Sequence, residues 1–184
     1  MATAPAQAHS PEELLKITDR PTPELVGGML VERQPMGQEA DEIGVNILTI
    51  LKGFSKAVLP GIVNGPEAGY QIFTDDPRKV RFPDASFTIR ERAPGRKAAR
   101  GFSKTLPDLV VEVILPHDDA ETLHEKLSDY LAAGVPMIWI VSPRSRHVQV
   151  CRADRSSRIV NAEETLEGGD ALPGFHCRVA DFFE

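Results

Sequence analysis

No stretch of this chain is apolar for anything near the roughly 20 residues that cross a bilayer, which argues against a membrane-spanning helix. Cysteine is scarce: Cys151 and Cys177 show no metal-binding spacing and read as reduced thiols of a cytoplasmic protein. Residues 1–9 have neither a basic n-region nor an apolar h-region, so they read as a small, polar, disordered tail and not as a secretory signal. Positive charge is short as well: 21 Lys and Arg stand against 27 Asp and Glu, a net charge of −6, which counts against strong non-specific binding to nucleic acid. Neither an internal repeat nor a linker breaks the sequence. What remains is 184 residues, 41% of them hydrophobic and 26% charged, the profile of one globular domain over residues 10–184 with a substantial core.

The chain is organised around Leu106-Pro107-Asp108-Leu109-Val110-Val111-Glu112-Val113-Ile114-Leu115-Pro116. A proline-bounded run of branched apolar residues reads as a strand buried on both faces. Glu112 interrupts it, and a buried carboxylate is costly unless it is paired or binds a cation. Two readings follow: a chemical role, or a structural ion pair or solvent-reaching glutamate at the end of the strand.

Upstream, Ser10-Pro11-Glu12-Glu13 is a helix start with a capping box, and predicts a short helix to about Ile17. Gly27-Gly28 between Leu25-Val26 and Met29-Leu30-Val31 predicts a tight hairpin. Ile43, Ile47, Ile50, Leu51 and Phe54 form one apolar stripe, so residues 38–56 are predicted helical. Glu39 extends that stripe back one turn, where the helix dipole favours an acid; first-turn acid enrichment accounts for it equally well. Ile62-Val63, residues 70–73 and residues 80–82 are short strand candidates separated by Gly65-Pro66 and Asp75-Asp76-Pro77. Ala85, Phe87 and Ile89 alternate with Asp84 and Ser86, and Pro83 marks an edge strand or a strand start.

Arg90, Arg92, Arg96, Lys97, Arg100 and Lys104 stand against Glu91 alone, in a loop punctuated by Pro94, Gly95 and Gly101. This is the one basic patch, read either as a nucleic-acid contact through Arg92, Arg96, Lys97, Arg100 and Lys104 or as a solvated loop. Asp118 with Glu121 predicts the cap of a helix whose stripe is Leu123, Leu127, Tyr130 and Leu131 and which Gly134 ends. Lys126 flanks the buried side of that helix, where a snorkelling surface charge is the usual role. Residues 137–141 are a second apolar strand, so strand, helix and strand form a crossover unit of parallel pairing. Val148, Val150 and residues 158–160 continue as an antiparallel meander, and residues 172–183 close the fold.

Two carboxylates on adjacent strands, Asp84 and Glu112, can hold a hard divalent cation that prefers oxygen ligands. A nearby lysine can orient or help deprotonate a water, or stabilise developing charge. Those parts suit metal-assisted phosphodiester hydrolysis.

In order, Pro83-Asp84, Val111-Glu112-Val113, Glu125-Lys126-Leu127-Ser128-Asp129-Tyr130-Leu131-Ala132-Ala133-Gly134-Val135 and Ile138-Trp139-Ile140-Val141 resemble the Uma-type restriction endonucleases, a bacterial branch of the PD-(D/E)xK nuclease superfamily. The likeness runs from the Gly27-Gly28 hairpin through residues 168–175. It implies an α/β restriction-endonuclease-like fold, a mixed central sheet flanked by helices. It further implies Asp84 and Glu112 as ligands of Mg2+ or Mn2+, with the Val113 carbonyl as a third. Lys126 replaces the lysine that other members carry two residues after the glutamate, where this chain has Ile114, and Glu39 is the early-helix acid. Two departures stand out. Relatives often have Glu-His where this chain has Glu39-Ala40, and a serine where it has Leu115. The implied function is metal-dependent endonucleolytic cleavage of DNA by a homodimer. The alternatives are a non-catalytic module binding nucleic acid or protein, and a hydrolase of a smaller phosphodiester, which suits the net charge better.

Overall fold

A computed structural model describes residues 8–93 and 101–184. Ser10 caps the first helix, α1 (Pro11–Leu14), and the capping box closes with Glu13 N–H donating to Ser10 Oγ at 3.2 Å and Ser10 N–H to Glu13 Oε2 at 2.8 Å. α1 ends before Ile17, because i to i−3 bonds from Lys16 and Ile17 turn the chain away. Strands β1 (Glu24–Val26) and β2 (Met29–Val31) form the expected hairpin. Gly27 and Gly28 take φ of +59° and +81° in its turn, which only glycine does without strain.

Helix α2 (Gln38–Ala57) buries Ile43, Ile47, Leu51 and Phe54. β3 (Gly61–Asn64), β4 (Ala85–Ile89) and β5 (Leu109–Val113) follow, then α3 (Ala120–Ala133), β6 (Met137–Ser142), β7 (His147–Arg152) and β8 (Ser157–Asn161). These six strands form one sheet in the order β3-β4-β5-β6-β7-β8. Only β5 and β6, joined by α3, run parallel. A second small pair, β9 (Thr165–Glu167) and β10 (His176–Arg178), closes the chain with a 3-10 turn over Val179–Phe182.

Strand alternation divides the core. Leu109, Val111 and Val113 pack with Ala85, Phe87, α2 and the C-terminal aromatics; the Trp139 ring lies 5.2 Å from Phe175 and 6.0 Å from Phe182. Val110 packs on the other face, against Ile138, Ile140, Tyr130 and the apolar side of α3. Glu112 shares the parity of Val110, so it faces α3.

Three local expectations differ from the structure, and a fourth is decided between its alternatives. Pro83 marks a strand start and not an edge: β4 lies between β3 and β5, and the proline stands two residues before it. Residues 70–73 and 80–82 form no strands: among the described residues they pair through single bridges, Tyr70 to Arg81, Leu25 to Val80 and Tyr70 to Ser103. The cap of α3 is Asp119, which accepts from Thr122 N–H at 2.9 Å; Asp118 instead closes the preceding turn by accepting from Leu115 N–H at 2.7 Å. The basic segment opens as a 3-10 turn over Arg90–Arg92. Among the described residues, no helix is long and apolar enough to cross a membrane.

Candidate active site

β4 and β5 pair antiparallel with Ala85 opposite Val111 at the end of their ladder, which brings Asp84, just before β4, and Glu112, on β5, to the same end of the strand pair, where the charge of Asp84 acts on Glu112. The backbone locks this end of the ladder. Asp84 N–H donates to Val111 O at 3.0 Å, and Val113 N–H donates to Asp84 Oδ2 at 2.7 Å. Both carboxylates line a cavity of about 610 Å³ between the β1–β2 hairpin, the end of β5 and the N-terminal half of α3.

α3 supplies two side chains to Glu112 from successive turns. Lys126 Nζ donates to Oε2 at 3.0 Å and the Tyr130 hydroxyl donates to Oε1 at 3.0 Å. The i, i+4 spacing that makes Leu123, Leu127 and Leu131 one stripe makes Lys126 and Tyr130 another beside it. Lys126 is therefore no snorkelling surface charge: its side chain is only 16% exposed and turns inward.

Burial dominates the electrostatics. Glu112 is 6% exposed, and desolvation, with Asp84 and Glu24 nearby, pushes its carboxyl up to about 7 against the pull of Lys126. Burial also raises Asp84, although the Val113 N–H and the charges of Lys126 and Arg33 oppose it. Desolvation works against the charge on Lys126, but Glu112, Glu24 and Asp84 outweigh it and hold the ammonium above the usual lysine range. These surroundings hold Lys126 in its charged form and push Glu112 toward its protonated one.

Several residues of this site were not singled out by the sequence. Glu24, on β1, is 2% exposed and lines the cavity. Its oxygens accept from Arg81 Nη1 at 2.7 Å and Phe82 N–H at 3.1 Å, and one lies 3.3 Å from Lys126 Nζ. Arg81 is clamped in turn by Asp129, which also accepts from Lys79 at 2.6 Å. A charged residue next to a hairpin turn, or in a three-residue run between loops, reads as surface. Only the folded chain shows that these ones are buried together. At the rim, Arg33 lies over the Phe82 ring at 5.2 Å.

Glu39 is not brought to the cavity: it is exposed in the first turn of α2 and is not among the lining residues. Of the basic patch, Arg92 is engaged elsewhere, donating to Asp108 Oδ1 at 2.6 Å, and Lys104 is exposed; neither lines the cavity. Arg96, Lys97 and Arg100 lie outside the described residues.

The donors suit a hard divalent cation. Two buried carboxylates raise each other's proton affinity, and a cation between them removes the repulsion that a proton otherwise relieves. A carboxylate has about four lone-pair positions, so Glu112 can keep its two hydrogen bonds and still accept a cation. Among the described residues, no group of three or more His, Cys, Asp and Glu is placed to hold a metal. Two carboxylates therefore suit Mg2+ or Mn2+, which keep water or substrate oxygens in their shells, better than a metal needing a full protein cage.

The profile of a protein family described as "Uma2: Putative restriction endonuclease" matches residues 11–180. A crystal structure titled as "a putative nuclease belonging to DUF820 from Anabaena variabilis" superposes with a TM-score of 0.78 at 17% sequence identity, covering 95% of this chain and 97% of that one. Comparison with curated proteins gives no match.

Proposed function

Because the chain belongs to the Uma2 family, we propose that its cavity hydrolyses DNA phosphodiester bonds with a divalent cation, Mg2+ or Mn2+. The observation that carries this reading is the juxtaposition of Asp84 and Glu112 at the end of β4 and β5 on one cavity wall, with Lys126 on Glu112. Asp84 and Glu112, with the Val113 carbonyl, are the residues that would hold the cation. When bound, it supplies charge stabilisation at the phosphate and lowers the pKa of water. The protein's own residues do the rest. Lys126, fixed as an ammonium, offers donors to an attacking water or to a phosphate oxygen. Tyr130 and Lys126 hold the Glu112 carboxylate in one orientation, and the β1–β2 hairpin walls the cavity against bulk solvent.

The test is cleavage of supercoiled plasmid by the purified protein with Mg2+, Mn2+ or chelator. The reading expects nicked or linear product only with metal, and at least about a hundredfold less with Glu112→Gln or Lys126→Ala. Unchanged cleavage in both variants would remove the assignment. The net charge of −6 favours a second reading, hydrolysis of a smaller phosphodiester. Turnover of bis(p-nitrophenyl) phosphate with intact plasmid would select it. The homodimer and the DNA contacts of the basic segment belong to the same proposal, since cutting both strands calls for two sites.

A further inference from the structure

Glu24 lies on the hairpin, outside the two strands that carry Asp84 and Glu112, and the chemistry described above does not use it. Its carboxylate is held at both oxygens: Oε2 accepts from Arg81 Nη1 at 2.7 Å and Oε1 from Phe82 N–H at 3.1 Å. Arg81 is fixed from its other side by Asp129 Oδ2, at 3.0 Å from Nε and 2.6 Å from Nη2. Asp129 follows Lys126 by three residues on α3, so this network ties the hairpin to the helix that carries the lysine. Glu24 Oε1 then lies 3.3 Å from Lys126 Nζ, beside the 3.0 Å bond from Nζ to Glu112.

Lys126 thus has two carboxylate acceptors of different kinds. Glu112 is the one that a cation would engage, while Glu24 is held by groups that take no part in cation binding. An ammonium is a compact charge on a flexible stem with three donors. When a divalent cation binds Glu112, Lys126 keeps that hydrogen bond but meets less negative charge at its nearer acceptor and is repelled by the incoming charge. Without a second fixed acceptor the stem would swing into the cavity mouth.

We propose that Glu24 is a positioning residue that keeps the Lys126 ammonium at the cavity floor while Glu112 engages a divalent cation, so that lysine and cation occupy the site together. This rests on Asp84 and Glu112 being the cation ligands, and the test separates the two ideas.

The full chain, labelled with 13C and 15N, is titrated with Mg2+ and followed by NMR. The carboxyl carbons of Asp84 and Glu112 report the cation, and the Nζ signal of Lys126 reports the lysine. In the wild type the carboxyl signals should shift while the Nζ signal persists in slow exchange with water. In Glu24→Gln, which removes the charge facing Lys126 and leaves one amide oxygen that can accept from Arg81 or from Phe82 N–H but not from both, the carboxyl shifts should remain, with Mg2+ affinity within about threefold of wild type, and the Nζ signal should vanish as Mg2+ is added. DNA cleavage should then lose kcat by at least about tenfold with KM nearly unchanged. A purely structural Glu24 would lower the melting temperature and leave the Nζ response to Mg2+ as in wild type; that outcome overturns the proposal. Should Glu24→Gln not fold, the wild type decides alone: an Nζ signal lost on saturation with Mg2+ overturns the proposal, and one retained supports it. If the Asp84 and Glu112 carboxyls do not respond to Mg2+ in the wild type, the cation reading itself fails, and this proposal with it.

Discussion

The Tyr130 hydroxyl donates to Glu112 Oε1 at 3.0 Å, so a fully buried phenol and a nearly buried carboxyl satisfy one another across the interface between α3 and β5. Tyr130→Phe removes that donor and keeps the ring packed near Phe73. A hydrogen bond to a charged acceptor contributes about 1.5–3 kcal/mol, so the variant should lose stability of that order in urea at pH 8. The loss should shrink at pH 5, where Glu112 is protonated. The same loss at both pH values would show that ionisation of Glu112 is irrelevant to the bond.

Glu112 also sets a pH dependence whose sign is opposite to that of ordinary surface acids. Its carboxyl stands at about 7 in the folded protein against 4.5 for the free group. Between those values the folded state holds a proton that the unfolded state has released, so stability falls as pH rises through this window. The contribution is on the order of 3 kcal/mol. Asp84, also raised, acts in the same direction. Glu24 acts oppositely: burial opposes its charge, but Lys126 and Arg81 hold its carboxyl below the usual range, so its contribution is present above the unfolded value and lost as pH falls through the folded one. Urea midpoints of metal-free wild type should fall from pH 5 to pH 7.5, and Glu112→Gln should flatten the slope. Equal slopes in both proteins would contradict the assignment.

The basic segment divides into two predictions. Arg92 is engaged with Asp108, a buried carboxylate that also accepts from Ile89 N–H at 2.7 Å. Arg92→Ala should therefore destabilise by about 1 kcal/mol, with little effect on DNA affinity. Replacing Arg96, Lys97 and Arg100 together by Ala should instead leave the melting temperature alone. It should reduce the salt dependence of DNA binding by roughly 0.9 in log-log slope for each phosphate contact removed. An unchanged slope would make the segment a bystander.

Much of this architecture is legible in the residues because their periodicity survives folding. The helix over residues 38–57, the crossover from β5 through α3 to β6, the meander to β8 and the Gly27-Gly28 turn all follow from apolar spacing and turn chemistry. The burial of Glu112 follows from its place in an apolar run. Glu24, Arg81 and Lys79 were not legible, because burial of a charge depends on partners distant in sequence: Glu24 meets Arg81 57 residues away, and Arg81 meets Asp129 48 residues further on. Glu39 shows the reverse error. Its helical position extends an apolar stripe, yet α2 begins at the surface and the side chain stays in water.

The central claim is that Asp84 and Glu112 are a cation site, and thermal melts of wild type and Glu112→Gln at neutral pH, with and without Mn2+, test it most directly. A ligand at a hundred times its dissociation constant stabilises by about 2.7 kcal/mol, which for a domain of this size raises the melting temperature by roughly 5–10 °C. Wild type should show that gain. Glu112→Gln should melt at or above the metal-free wild type and gain little from Mn2+, because a buried ionisable carboxyl has been replaced by a neutral group of the same shape. A variant that melts well below metal-free wild type and gains as much from Mn2+ would make Glu112 the structural partner of Lys126 alone, and the cation site would be lost from the account.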